Sequence, residues 1–126
     1  KNNKDLIMIY NRIFNVYGKG QYKKNLWPSL KSAALKNKNF SLSPGNQVRD
    51  FISVEKVVEE FLLDCHLKPK NNNNLVVKNI GSGMPITIKN FAKKWWRHWG
   101  SQGKLLIGDL AYRDNEIMRC IPELDK

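Results

Sequence analysis

The sequence predicts an α/β fold, and three observations support that class. Two largely apolar segments, residues 6–14 and 75–80, are typical of parallel strands that are buried on both faces. Two other segments, residues 53–65 and 87–99, carry apolar side chains at helical spacing. Strands and helices therefore alternate along a chain of 126 residues, which is about the size of one domain.

The first half of the chain contains three further predicted elements. After the apolar strand, the glycines at 18 and 20 mark a polar loop. A helix is predicted over residues 27–36, because Pro28 suits a first turn, where its missing N–H removes no hydrogen bond. Short strands are predicted at 40–43 and 48–53, separated by turn-forming residues.

The second half begins with a helix that Ser53 is expected to cap. Its apolar stripe, spaced at i, i+3, i+4, i+7, i+8 and i+11, consists of Val54, Val57, Val58, Phe61, Leu62 and Cys65. A solvated loop is predicted at 68–74, before the apolar strand at 75–80.

A second amphipathic helix is predicted after Thr87, its expected cap, with Gly100 as its stop signal. A last strand at 104–107 and a helical turn from Glu116 to Pro122 complete the prediction. Because a parallel sheet of only two apolar strands cannot cover both of its faces, we expect the chain to be the tail of a larger protein.

The charge balance leaves two explanations open. The chain has 22 Lys and Arg against 11 Asp and Glu, a formal net charge of +11. This excess favours a polyanionic partner such as nucleic acid. However, 17 of the 22 are lysines, so a codon bias of an A/T-rich genome would give the same balance.

Two further features predict where the protein is found. No run of eighteen apolar residues occurs, so no membrane span is expected. Cys65 and Cys120 are far apart in the sequence, which is typical of reduced thiols in a cytoplasmic protein.

Three polar spots, residues 15–18, 47–50 and 112–116, are candidates for a binding site. Asn15 follows an apolar strand, where open α/β sheets bind their ligands. An amide and two arginines could supply the donors that a diphosphate requires, although an Asn in a turn and two surface arginines would look the same. No GxGxxG or Walker glycine loop occurs, and His66 and His98 have no partner at metal-ligand spacing.

The aromatic segment 95–99 also has two interpretations. Tryptophans interleaved with basic residues could form a stacking platform for single-stranded nucleic acid. Core packing is favoured for Trp95 and Trp99, because they lie on the same helical stripe as Phe91. Trp96 is expected to be exposed, or to contact a missing domain or a second subunit.

Four motifs, in the same order, resemble those of the extended short-chain dehydrogenase/reductases that modify nucleotide sugars. Residues 12–21, RIFNVYGKGQ, resemble the RxFNVYGPGQ segment of that family, with Lys19 in place of proline. Residues 45–54, GNQVRDFISV, resemble GxQxRDFIYV, and residues 79–83 match NIGSG. Residues 112–116, YRDNE, resemble YRxxE.

The resemblance implies that residues 1–126 are the C-terminal part of a Rossmann-type fold, namely the last parallel strands and the substrate-binding lobe. The N-terminal dinucleotide-binding part, with its glycine fingerprint and Tyr-x-x-x-Lys pair, would be absent. The full-length protein would then be an epimerase, dehydratase or reductase that uses NAD or NADP and forms a homodimer. This chain alone would bind no cofactor and be inactive.

The resemblance also implies roles for four residues. Asn15 would hydrogen-bond a phosphate of a nucleotide diphosphate sugar, Arg49 and Arg113 would bind the diphosphate or the nucleotide, and Glu116 would lie near the ribose. No catalytic residue is predicted. A basic nucleic-acid-binding module, which is less favoured, and a non-catalytic degenerate homologue are the alternatives.

Overall fold

The computed structural model describes residues 6–68 and 74–125, and it confirms the α/β class. The strands and helices alternate along the chain. In order they are β1 (Met8–Ile13), β2 (Asn15–Tyr17), α1 (Leu26–Leu35), β3 (Phe40–Leu42), β4 (Val48–Ser53), α2 (Val54–Asp64), β5 (Leu75–Ile80), β6 (Pro85–Thr87), α3 (Ile88–His98), β7 (Leu105–Ile107) and β8 (Arg119–Cys120).

The strands form three small sheets. β1 pairs with β5 and β3 with β7, both in parallel. In the third sheet β4 pairs in parallel with β2 and β8 and antiparallel with β6. The predicted strand over residues 6–14 forms as β1, and a second strand that was not predicted, β2, follows it directly. The N–H of Phe14 still donates to Ile80 O at 3.0 Å, and from Asn15 onward the chain pairs with β4 instead.

The predicted helix caps are confirmed. Ser53 Oγ accepts a hydrogen bond from the backbone N–H of Lys56 at 3.3 Å, and Thr87 Oγ1 accepts one from that of Asn90, also at 3.3 Å. Gly100, just after α3, has a φ of +63°. This is a left-handed backbone conformation that glycine adopts more readily than other residues.

The apolar stripe of α2 is only partly buried, although such a stripe usually faces the core of a protein. Val57 is buried, but Val58, Phe61 and Leu62 are 50%, 42% and 60% exposed. The helix instead turns Asp64 toward β1 and β5, where polar partners hold it. The exposed stripe is thus an apolar face that no described residue covers.

A polar network joins α2 to the β1–β5 sheet. Asp64 Oδ1 accepts a hydrogen bond from Lys78 Nζ at 2.5 Å, and its Oδ2 accepts one from Asn11 Nδ2 at 2.7 Å. Lys78 Nζ also contacts Glu60 Oε2 at 3.1 Å. Burial opposes the charge of Lys78, but the bonds with Asp64 and Glu60 outweigh that effect and raise the pKa of Lys78.

We expect Asp64→Ala to lower the free energy of unfolding by about 2–4 kcal/mol at neutral pH, because Lys78 and Asn11 would lose their partner. Since the folded-state pKa of Lys78 is raised, this stabilisation is complete below the unfolded value of about 10.4 and is lost as the pH rises through the folded value. Urea unfolding of both proteins across that range measures it. Glu59→Ala, which breaks an exposed pair with Lys56, is the control and should cost under about 0.5 kcal/mol. Equal losses in the two variants would contradict the prediction.

The main core lies between α1, α3, β3 and β7. Its buried members are Leu30, Ala34, Leu42, Ala92 and Trp96.

The expectation that Trp96 is exposed is wrong. Its side chain is buried, and its Nε1 donates a hydrogen bond to Gly103 O at 3.2 Å. The reason is that α3 is covered on two sides, by α1 and by β7, so the residue beside the predicted stripe is also buried. Trp95 and Trp99 stack on each other and pack against Trp27, as core packing predicts.

The C-terminal segment also differs from the prediction. Residues 116–122 contain no helical turn, because β8 pairs with β4 and the N–H of Val48 donates to Met118 O at 2.8 Å. The predicted loop at 68–74 falls mostly outside the described residues. No described helix is long and apolar enough to span a bilayer.

Candidate functional site

A groove of about 470 Å³ lies between α1, β3 and the segment that precedes β8. We call it the candidate groove. Apolar residues of α1, β3 and α3 and several polar side chains form its walls. The polar lining residues are Lys24, Ser29, Ser41, Ser43, Gln47, Tyr112, Arg113 and Glu116.

Arg49 and Glu116, two predicted site residues, are in direct contact beside this groove. Arg49 Nη2 lies 3.2 Å from Glu116 Oε1 and also donates to Ile117 O at 2.7 Å. Its Nη1 donates to Val48 O at 3.0 Å. Both side chains are largely buried, so Arg49 fixes the position of Glu116 and of the backbone that follows it.

Arg113 lies in the same segment and is exposed at the groove. The neighbouring Tyr112 is held in place because its hydroxyl accepts a hydrogen bond from the N–H of Asn46 at 3.2 Å. The N–H of Glu116 donates to Arg113 O at 3.2 Å, which closes a turn. Arg113 and Glu116 therefore line the groove together, with the guanidinium open to solvent.

Gln47 is a site residue that the sequence analysis did not single out, although it belongs to the predicted segment 47–50. Only 4% of it is exposed, and its Oε1 has no hydrogen-bond partner among the described residues. Five other buried side-chain N or O atoms of the described residues also lack a partner, but among these six only the Gln47 oxygen belongs to a residue that lines the candidate groove, where it is free to accept a hydrogen bond from water or a ligand.

Asn15 does not line the candidate groove. It lies in β2 opposite Phe51 of β4. Alternate residues of a strand face the same side, so Asn15, Phe51 and Arg49 lie on one face of the sheet. The structure thus brings Arg49, Arg113 and Glu116 together and places Asn15 on the sheet that carries Arg49.

Asp50 points to the opposite side of β4 and joins two of the predicted motifs. It is 1% exposed, and it accepts hydrogen bonds from Ser82 N and Ser82 Oγ, both at 2.6 Å, and from Gly83 N at 2.8 Å. Asn79 Nδ2 donates to Glu123 O at 2.7 Å, which holds the C-terminal segment to β5. These bonds fix β4, and with it Arg49, relative to the segment that carries Arg113.

The glycine turns at Gly18 and at Gly81 leave no room beside these two residues for the pyrophosphate of a dinucleotide. A Cβ on Gly18 would lie 2.5 Å from Val54 Cγ1, and one on Gly81 would lie 2.5 Å from Pro122 Cγ. The N–H groups of Ser82 and Gly83 already bind Asp50. The space beside these turns is therefore filled by the protein itself. The described residues also contain no group of three or more His, Cys, Asp or Glu side chains that could hold a metal ion.

Comparison with known protein families identifies the family to which this fold and these motifs belong. The sequence profile of the NAD dependent epimerase/dehydratase family matches residues 1–81, more than half of the chain. The chain belongs to this family. The resemblance on which the sequence analysis relied is thereby confirmed at the family level.

The relatives of this epimerase/dehydratase-family chain are named as enzymes that make or convert nucleoside diphosphate sugars. It is 28% identical over 114 residues to the CDP-abequose synthase of Salmonella muenchen, covering 90% of this chain and 38% of the relative. It is also 28% identical to the dTDP-L-rhamnose 4-epimerase of Burkholderia thailandensis, covering 91% of this chain and 32% of the relative. The chain thus spans less than two fifths of the relatives that it matches.

Solved structures show the same fold. The UDP-glucose 4-epimerase of Thermotoga maritima superposes with a TM-score of 0.75 at 24% identity, covering 93% of this chain and 36% of that one. The UDP-N-acetylglucosamine 4-epimerase of Methanobrevibacter ruminantium gives a TM-score of 0.75 at 23% identity, covering 92% and 37%. The epimerase/dehydratase-family chain therefore has the Rossmann-like α/β architecture that the sequence predicts.

Proposed function

We propose that this chain is the nucleotide-sugar-binding portion of an NAD- or NADP-dependent epimerase, dehydratase or reductase, and that residues 1–126 bind the nucleoside diphosphate part of the substrate. The observation that carries the proposal is the convergence of Arg113, Glu116 and the unpartnered Gln47 Oε1 on one groove beside Arg49. The named relatives all act on sugars linked to a nucleoside diphosphate.

The donors and acceptors of the groove suit such a ligand. The exposed Arg113 offers a guanidinium fork to a diphosphate, and Arg49 keeps N–H donors beyond the three that it uses within the chain. Glu116 and Gln47 offer acceptors for hydroxyl or N–H groups of a ribose or base. The volume of about 470 Å³ falls within the usual range for small-molecule sites.

The remaining apolar faces support the view that another part of the enzyme completes the sheet. The register of β1 and β5 pairs Met8 with Leu75 and Tyr10 with Val77, and the four residues are 47% to 66% exposed. They form one apolar face of the sheet, opposite α2. We propose that the dinucleotide-binding part, which would also supply the reacting groups, covers this face.

Calorimetric titration tests the proposal. We expect the protein to bind UDP-, CDP- or dTDP-linked sugars with a preference for one base, and to bind the matching nucleoside monophosphate more weakly, because the diphosphate supplies the contacts to arginine. The 126-residue chain should release no heat with NAD, since its glycine turns are filled. Equal affinity for the sugar nucleotide and its unphosphorylated nucleoside would contradict the proposal.

A further inference from the structure

The formal net positive charge of the protein falls within one lobe, although Lys and Arg occur throughout the chain. We define the α1–α3 lobe as residues 18–47 and 85–108. It carries 11 of the 22 Lys and Arg residues and none of the 11 Asp and Glu residues. The lobe therefore holds the entire formal net charge of +11, and the rest of the chain is electrically balanced. A codon bias accounts for the number of lysines, but it does not account for the lack of Asp and Glu in this lobe.

Part of this charge lines a second groove, of about 630 Å³, along α1. We call it the lysine groove, and its basic residues are Lys23, Lys24, Lys36 and Lys38. All four are exposed, and none forms an ion pair with a residue in the described ranges. Their charges are thus free to act on a ligand in solution.

The lysine groove is continuous with the candidate groove. Lys24, Ser29 and Phe40 line both of them. A negatively charged molecule drawn to the lysines would therefore already be at the entrance of the site that contains Arg113 and Glu116.

The choice of basic residue differs between the two grooves. The lysine groove has no arginine, whereas Arg113 lines the candidate groove and Arg49 lies beside it. Lysine is a strongly hydrated point charge, while the arginine fork makes directional bonds to phosphate. Lysines therefore suit long-range attraction, and arginines suit the holding of a bound diphosphate.

We propose that the lysine groove attracts nucleoside diphosphate sugars and raises their association rate with the candidate groove, and that Lys36 and Lys38, which line only the lysine groove, do not contact the bound ligand. This inference rests on the proposed function. A cleft of one charge sign raises the rate of capture of an oppositely charged ligand by about 10- to 1,000-fold, and salt suppresses the effect. The field of the exposed lysines would reach about 30 Å at 0.01 M salt and about 8 Å at physiological salt.

The test is the kinetics of UDP-glucose binding, or of whichever nucleotide sugar binds most tightly, from NMR line shapes at low and high salt. In the double variant Lys36→Gln/Lys38→Gln we expect the association rate constant to fall about threefold to tenfold at low salt, while the dissociation rate constant stays unchanged. At high salt the association rate constants of the variant and the wild type should be equal. The matched control is Lys56→Gln/Lys68→Gln, which removes the same charge outside the lobe and should leave both rates unchanged.

Four results would overturn the proposal. They are an unchanged association rate in the lysine-groove variant, an equal fall in the control, an effect confined to dissociation, and tight binding of a single-stranded oligonucleotide that displaces the nucleotide sugar and needs the same lysines. If the wild-type protein bound no nucleotide sugar at all, the proposed function would fail as well. If it bound one at a rate independent of salt, only the role of the lysine groove would be wrong.

Discussion

Asp50→Ala is expected to lower the free energy of unfolding by about 3–5 kcal/mol, the largest stability effect that we predict for a single substitution. The carboxylate is buried and accepts three hydrogen bonds from Ser82 and Gly83. Its removal leaves two backbone N–H groups without their acceptor, and hydrogen bonds to a charged group are each worth about 1.5–3 kcal/mol. Urea denaturation of the wild type and the variant measures the loss.

Asp50→Asn should recover little of this loss, because an amide presents N–H donors to the N–H groups of the turn. The matched control is Asp109→Ala. Asp109 accepts one exposed hydrogen bond, from Ser41 Oγ at 2.5 Å, and its loss should cost about 1 kcal/mol or less. An Asp50→Ala protein that unfolds at the same urea concentration as the wild type would show that the turn does not depend on this carboxylate.

Arg113→Ala is expected to weaken nucleotide-sugar binding about tenfold to a hundredfold while the free energy of unfolding stays within about 0.5 kcal/mol of the wild type. The exposed guanidinium supports no contact in the fold, so the loss comes from charge-assisted bonds to the diphosphate, worth about 1.5–3 kcal/mol. Arg113→Lys should recover only part of the affinity. Calorimetry gives the affinities.

Arg49→Ala is expected to reduce both binding and stability, because it also leaves the largely buried Glu116 without its partner. The control is Arg97→Ala. Arg97 belongs to the basic lobe but lines a separate cleft beside Gln102, so its loss should leave the affinity unchanged. Arg113→Ala and wild-type proteins with equal affinities would show that the diphosphate is held elsewhere.

Elements with strong local signals were predictable from the sequence. α2 and α3 begin where the sequence indicates, because the caps at Ser53 and Thr87 and the spacing of apolar residues act within one or two turns. The change of partner strand after Phe14, where β2 begins, was not predictable. It depends on which partner strand offers hydrogen bonds, and β5 and β4 lie far along the chain.

The candidate site was predictable in its members but not in their arrangement. Motif resemblance identified Arg49, Arg113 and Glu116, yet the contact between Arg49 and Glu116 joins residues 67 positions apart. The burial of Trp96 likewise depends on β7, which covers a second side of α3. The helical spacing of the apolar residues does not predict this contact. The unpartnered Gln47 oxygen is visible only when the donors around it are known.

A crystal structure of the protein with its tightest-binding nucleotide sugar tests the central claim most directly. We predict diphosphate oxygens within hydrogen-bond distance of the Arg113 guanidinium, about 2.7–3.2 Å, and ribose or base donors at Glu116 and Gln47 Oε1. A nucleotide bound outside the candidate groove, with Arg113 still free in solvent and Gln47 Oε1 without a donor, would contradict the account.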